Sequence, residues 1–215
     1  MYDKGNPNEW SKQNETLPNP PWRNGVEPAE KMQGRMDSPL TSKGIQQAKA
    51  LSERLQDVPI QRIYSSPSRR AVHTAEIIRG KRPISIHKHE DLYEMHLGHW
   101  EGQTLSQLEK TDPDSYKRFW SDPAQYRPAE GETYQEIQQR VLRFLSYLKC
   151  NHPDDNILIV THAVVLKVLL AHLEQREWKR LWDKPFIPGG SLTIVEVQGE
   201  QATIQLYADS LPPHN

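Results

Sequence analysis

The run Ile157-Leu158-Ile159-Val160-Thr161-His162-Ala163-Val164-Val165-Leu166-Lys167-Val168-Leu169-Leu170 changes character at a single residue. Its first five residues are apolar or β-branched without alternation, the pattern of a strand buried on both faces of a parallel sheet. From Ala163 the apolar residues continue at helix-compatible spacing, so the strand turns directly into a buried helix. His162 therefore stands at the carboxyl end of a central strand and beside a helix N-terminus, where ligands of open α/β sheets collect and free N–H groups favour anions. A hydrogen-bonded core histidine fits this stretch equally well.

Outward from this run, strands and helices alternate. Ser38-Pro39-Leu40-Thr41 reads as a turn and N-cap leading into an amphipathic helix that ends near Asp57, with Ile45, Ala48, Leu51 and Leu55 inward. Ile60 to Ser65 reads as a strand, and Pro67 to Gly80 as a second helix. Ile84 to His87 is a further strand, Thr104 to Thr111 a short helix, and Asp112 to Glu130 an irregular, aromatic-rich excursion whose Tyr116, Trp120 and Tyr126 could line a substrate mouth. Trp100 and Tyr93 read as packing residues. Glu132 to Lys149 carries one apolar stripe, Trp178 to Trp182 a short helix, and Ser191 to Val197 with Ala202 to Tyr207 a hairpin turning at Gln198-Gly199-Glu200. The alternation predicts a three-layer α/β/α sandwich.

Composition bounds the function. The 215 residues fit one sizeable core, and 27 Lys and Arg against 28 Asp and Glu argue against broad binding to nucleic acid or anionic membrane. Phosphate recognition must then be local. The single cysteine, Cys150, forms no internal disulfide or cysteine metal cage. His87, His89, His96 and His99 supply no clear tetrahedral set for a metal. With no apolar run of membrane-spanning length and no signal-peptide core, a soluble cytoplasmic protein is expected.

Three stretches taken together resemble the histidine phosphatase superfamily, the phosphoglycerate-mutase-like fold. They are Ser65-Ser66-Pro67-Ser68-Arg69-Arg70-Ala71-Val72-His73-Thr74-Ala75, Leu92-Tyr93-Glu94-Met95-His96-Leu97-Gly98-His99-Trp100-Glu101-Gly102, and Val160-Thr161-His162. Met32-Gln33-Gly34, Asp37 to Thr41 with Gly44 and Gln47-Ala48, and Gly131-Glu132-Thr133 extend the match. The resemblance is closest to the small broad-specificity phosphatases and implies a metal- and cofactor-free hydrolase of small phosphorylated metabolites, working through a phosphohistidine intermediate. It implies that Arg70, His162 and Gln33 meet the phosphate, that His162 also serves catalysis, and that Glu94 donates a proton to the leaving alcohol and then acts as base on water. Arg69 is expected to face solvent. Ala163 replaces the glycine usual after the second histidine. A mutase-type phosphoryl transferase and a phosphate-ester-binding pseudoenzyme are the alternatives.

One part of the family pattern is absent. No Arg-His-Gly occurs in the chain, no histidine precedes His73, and the register of the nucleophile falls on Pro21. The first central strand is missing with it. Residues 1–31 read as an aberrant, disordered segment interrupted by Pro7, Pro18, Pro20, Pro21 and Pro28, ahead of a domain over 32–210 and a tail at 211–215.

The genetic code suggests why. Read one base late, Trp22 into Arg23 must give Gly, while Pro20 into Pro21 permits Arg and Pro21 into Trp22 permits His. Asn14 to Glu27 as a whole permit Met-Lys-Leu-Tyr-Leu-Thr-Arg-His-Gly-Glu-Thr-Glu-Trp-Asn, an apolar strand followed by the missing motif at the family register. A frameshift is the expectation, and an inactive, poorly stable chain follows from it.

Overall fold

The computed structural model describes residues 31–209. The readings of residues 1–30 and of the tail 211–215 lie outside the described residues. Helix α1, Ser42–Arg54, starts where the Thr41 hydroxyl accepts from the Gly44 N–H and ends before Asp57. It is followed by β1 (Arg62–Ser65), α2 (Arg69–Arg79) and β2 (Ile86–Lys88). Two short helices, α3 (Leu105–Thr111) and α4 (Pro113–Ser121), precede the long α5 (Tyr134–Asn151). The opening run becomes β3 (Ile157–Val160) and α6 (Ala163–Leu173), and the chain closes with β4 (Leu192–Gln198) and β5 (Gln201–Asp209). The expected helix at Trp178 is a single 3-10 turn over Trp178–Arg180.

The segment Asp112 to Glu130 corrects the sequence reading. It is not irregular, because Asp112 caps a nine-residue helix with Pro113 at its first position, and Pro123–Gln125 add a 3-10 turn. Its aromatic residues do not line a mouth. Tyr116 and Tyr126 are buried, and Trp120 packs against the same cluster, which includes Trp100, Phe119 and Tyr134. Phe119 sits edge-on to Trp120 and Tyr126 at 4.8 and 5.2 Å between ring centroids. Such pairs add about 0.5–1.5 kcal/mol each beyond their area, so these rings hold α4 to α5 and α6.

The sheet carries the layers. β1 is central to a parallel sheet of order β2-β1-β3, with Ile63 opposite Leu158 and Tyr64 opposite Ile159. Alternation sends Ile63 and Val160 to Ala71 and Ala75 of α2 on one face, and Tyr64, Ile157 and Ile159 to Phe144 and Leu148 of α5 on the other. Helices thus cover both faces.

β3 departs from its expectation. Ile157, Leu158 and Ile159 are only half-buried, and among the described residues β1 is the strand's one ladder partner. β4 and β5 form a separate antiparallel pair, so among the described residues nothing links the two sheets into one ladder.

Candidate active site

The strand ends bring Arg70, Glu94 and His162 into one electrostatic neighbourhood, while Gln33 meets only Arg70 of these in a shared cavity. β1 ends at Ser65, and Ser66 and Ser68 follow before α2 begins, so Arg70 lies in the first turn of that helix. His162 is the N-cap of α6, directly after β3. Its Nε2 lies 2.9 Å from the Ser66 hydroxyl and 3.2 Å from that of Ser68, both buried. These two serines define which way the ring turns, a role that the sequence reading did not assign.

His162 brings a donor to this site and no charge. Burial first, then the Arg70 and Arg140 charges, push its pKa down to about 3. The unfolded chain takes up a proton near pH 6.5 that the folded chain refuses until about pH 3, so stability falls with pH across that window. The thermal midpoint of His162→Gln is expected to drop less than that of the parent between pH 7 and pH 5. Equal drops in a pH series of melts would refute this assignment.

Glu94 is nearly enclosed. Its Oε1 accepts from the Met95 N–H at 2.8 Å and its Oε2 from the Val164 N–H at 3.3 Å, the latter in the first turn of α6. Burial raises its pKa, opposed by those two hydrogen bonds and by Arg70 and Arg140. Desolvation wins, which favours the protonated carboxyl.

Arg70 sits between roles. Its guanidinium donates to the Met36 and Gly34 carbonyls, each at 2.8 Å, and so holds the loop before α1. Two of the five N–H groups serve those bonds. Burial lowers its pKa, countered chiefly by Glu94 and then Asp37 and Glu101. Gln33 shares with Arg70 a cavity of about 220 Å³ that Thr41, Gln47, Gly189 and Gly190 also line. Arg69 points away, with its side chain 74% exposed.

A network missed in the sequence supports this edge. Glu132 accepts from the His96 N–H at 2.9 Å and pairs with the buried Arg140 and with Arg35. Arg35 also donates to the Glu94 carbonyl and stacks 5.3 Å above the Tyr93 ring. Glu101 accepts from the N–H groups of Arg35 and Leu97. Glu132 and Glu101 therefore lock the Glu94 loop from two sides. The signal was present in Gly131-Glu132-Thr133, but only the three-dimensional contacts reveal its purpose.

Gly131 makes that lock possible. At φ +111° it passes so close to His96 that a Cβ would collide with the carbonyl oxygen. Gly131→Ala is expected to cost about 2–4 kcal/mol, read as a lower urea midpoint. A change below about 0.5 kcal/mol would mean the loop yields freely.

Among the described residues no group of three or more His, Cys, Asp or Glu is arranged to hold a metal. No described helix is long and apolar enough to cross a membrane.

Comparison with known proteins decides the family. The model of the histidine phosphatase superfamily, branch 1, matches residues 23–210. The chain belongs to the histidine phosphatase superfamily. Within it, the chain is 37% identical over 149 residues to the adenosylcobalamin/alpha-ribazole phosphatase of Salmonella typhimurium, covering 69% of this chain and 74% of that one. It is 31% identical to the putative phosphoserine phosphatase 2 of Hydrogenobacter thermophilus, over 83% and 87% of the two chains. The solved structure of Bacillus stearothermophilus YhfR superposes with a TM-score of 0.81 at 42% identity, covering 84% of this chain and 90% of that one. These relatives establish the histidine phosphatase fold and a phosphatase family for this chain. The superfamily match begins at Arg23, two residues after the register of the absent nucleophile at Pro21.

Proposed function

We propose that this chain carries the substrate half of a metal-independent phosphomonoester hydrolase and lacks the nucleophile that would make it turn over. The observation that carries this reading is a buried carboxyl whose pKa is raised, an imidazole whose pKa is pushed down to about 3 and a guanidinium, on Glu94, His162 and Arg70, close enough for the Arg70 charge to act on both of the others. Each fits a different demand of phosphoryl transfer. Arg70 supplies the charge that a non-bridging phosphate oxygen needs in the absence of magnesium, and His162 supplies a neutral N–H. Glu94, protonated, can give its proton to the leaving alkoxide as the P–O bond breaks.

The histidine that would receive the phosphoryl group on nitrogen has no counterpart in the chain. In an intact enzyme it attacks phosphorus, a P–N bond forms, and water then attacks with Glu94 accepting its proton while the P–N bond breaks. Gln33, which lines a cavity with Arg70, is assigned contact with the substrate on the family resemblance. The frameshift reading explains why the pocket residues persist beside a missing nucleophile.

The purified chain, in chelator, is expected to hydrolyse p-nitrophenyl phosphate at the background rate. Turnover abolished by His162→Ala would overturn that expectation. The coding DNA is the direct check on the frameshift: a stop codon in the late frame, or no histidine codon across Pro21 and Trp22, removes that explanation. A pseudoenzyme reading is favoured instead if the chain binds phosphate esters tightly while that frame is closed.

A further inference from the structure

We propose that Arg35 is a positioning residue for Glu94: it grips the Glu94 carbonyl and, through the rigid peptide unit which that carbonyl shares with the Met95 N–H, aims the N–H at the Glu94 carboxyl. That Glu94 is the proton donor rests on the function proposed above, whereas the mechanical link rests on the contacts alone.

The peptide plane transmits the grip. Arg35 Nε donates to the Glu94 carbonyl oxygen at 3.2 Å, and the Met95 N–H donates to Glu94 Oε1 at 2.8 Å. Both backbone groups belong to the one trans peptide unit between Glu94 and Met95. Partial double bonding keeps that unit flat, with its C=O and N–H pointing opposite ways. Fixing the oxygen therefore fixes the hydrogen.

Arg35 is itself held firmly enough to do this. Arg70 donates to the carbonyls on either side of it, those of Gly34 and Met36, at 2.8 Å each, and the Arg35 N–H donates to Glu101 Oε1 at 2.9 Å. Gly34, at φ +51°, lies so close to Glu101 that a Cβ there would stand 2.4 Å from Oε1. At the far end of the side chain, Nη2 pairs at 3.1 Å with Glu132 Oε2, the oxygen that also accepts from the His96 N–H, and the guanidinium lies 5.3 Å above the Tyr93 ring. Arg35 thus engages Tyr93, Glu94 and, through Glu132, His96. The planar fork of an arginine can serve a carbonyl and a carboxylate at once while its flat face covers an aromatic ring. A lysine would bring one ammonium to the same partners.

The aimed N–H matters to the chemistry of the carboxyl. Glu94 Oε1 is held by Met95 from its own loop and Oε2 by Val164 of α6 at 3.3 Å, so the Met95 bond is the shorter of the two. A hydrogen bond to the carboxylate favours the charged form, and the Met95 N–H is the foremost influence opposing burial. Arg35 thereby limits how far burial raises the Glu94 pKa, which leaves a donor able to release its proton. The other charged and titratable groups around Glu94 are Arg70 of α2, Arg140 and Tyr134 of α5, and His162 at the start of α6. They are common to the parent and to variants at Arg35, so they cancel in a comparison.

The test follows the Met95 and Val164 backbone amides of the full chain by proton–nitrogen NMR over a pH series. Each reports on one carboxyl oxygen, and in the parent both should shift with one midpoint that Glu94→Gln abolishes. In Arg35→Met the midpoint is expected to rise by about one pH unit, a tenfold gain in proton affinity, with the Met95 shift reduced and the Val164 shift retained. An unmoved midpoint overturns the positioning role. So does a raised midpoint with both amide shifts at parent size, which would show that Arg35 acts by its charge alone. Should Arg35→Met not fold, Arg35→Lys is read in the same way: a Met95 shift reduced against that of Val164 upholds the role, and a parent-like pair overturns it. No turnover is needed, so a negative result here leaves the proposed chemistry standing, and a failure of that chemistry leaves the amide result standing.

Discussion

A chain in which residues 14–27 are replaced by the late-frame segment is expected to hydrolyse p-nitrophenyl phosphate on the order of 10⁴- to 10⁶-fold faster than the unaltered chain. The size follows from what is added. In the proposed function Arg70, His162 and Glu94 bind and polarise a phosphate ester, and without an attacking nitrogen only direct attack by water remains. Removing a nucleophile from a site whose parts act together costs about this much, so restoring it returns about this much. A stability gain should accompany the rate. A new strand beside β3 would pair the backbone groups of Ile157 and Ile159, which no described strand pairs on that side. A rise in melting temperature of about 5 °C or more is expected. Calorimetry and a single rate assay separate the two effects. Higher stability with no rate would confirm the strand and refute the proposed chemistry.

Much of this architecture was legible because it rests on local pattern. The non-alternating apolar run before His162 announced a parallel strand, and the cap at Thr41 marked a helix start, whereas the capping boxes at Thr104 and Thr133 emerged only in the structure. The segment after Asp112 misled because its charged and aromatic residues mask a short amphipathic helix, whose buried face is decided by Phe119 and Tyr116 meeting rings from distant segments. The residues that steady the site were illegible for a related reason. Glu132 reaches His96, Arg35 and Arg140 across long separations in the chain, and nothing in its neighbours reports those partners. The orientation of His162 by Ser66 and Ser68 is likewise a property of two strand ends meeting. Burial of β3 was overestimated because a run of apolar residues does not report how many described neighbours cover the strand.

In the frame-restored enzyme, Glu94→Gln is expected to slow hydrolysis of an alkyl phosphate by about 10² to 10⁴-fold and to change the kinetics of p-nitrophenyl phosphate in a different way. An alkoxide cannot leave without a proton, and under the proposed function Glu94, whose pKa burial raises, gives it. p-Nitrophenolate leaves unaided, so its release survives the substitution. The second step does not, because water attacking the phosphohistidine needs a base and glutamine is none. Glu94→Gln should therefore release about one p-nitrophenolate per chain in a burst and then stall, with the phosphoryl group trapped on nitrogen and detectable as an acid-labile phosphate. The parent's alkyl phosphatase rate should fall as pH rises through the raised pKa of Glu94, since the donor proton is lost there, and that descending limb should vanish in the variant. Gln preserves the size of the side chain and can still accept one of the hydrogen bonds from Met95 and Val164, so a folding defect is not expected. An equal rate loss on both substrates with no burst would show that Glu94 holds the loop and moves no proton.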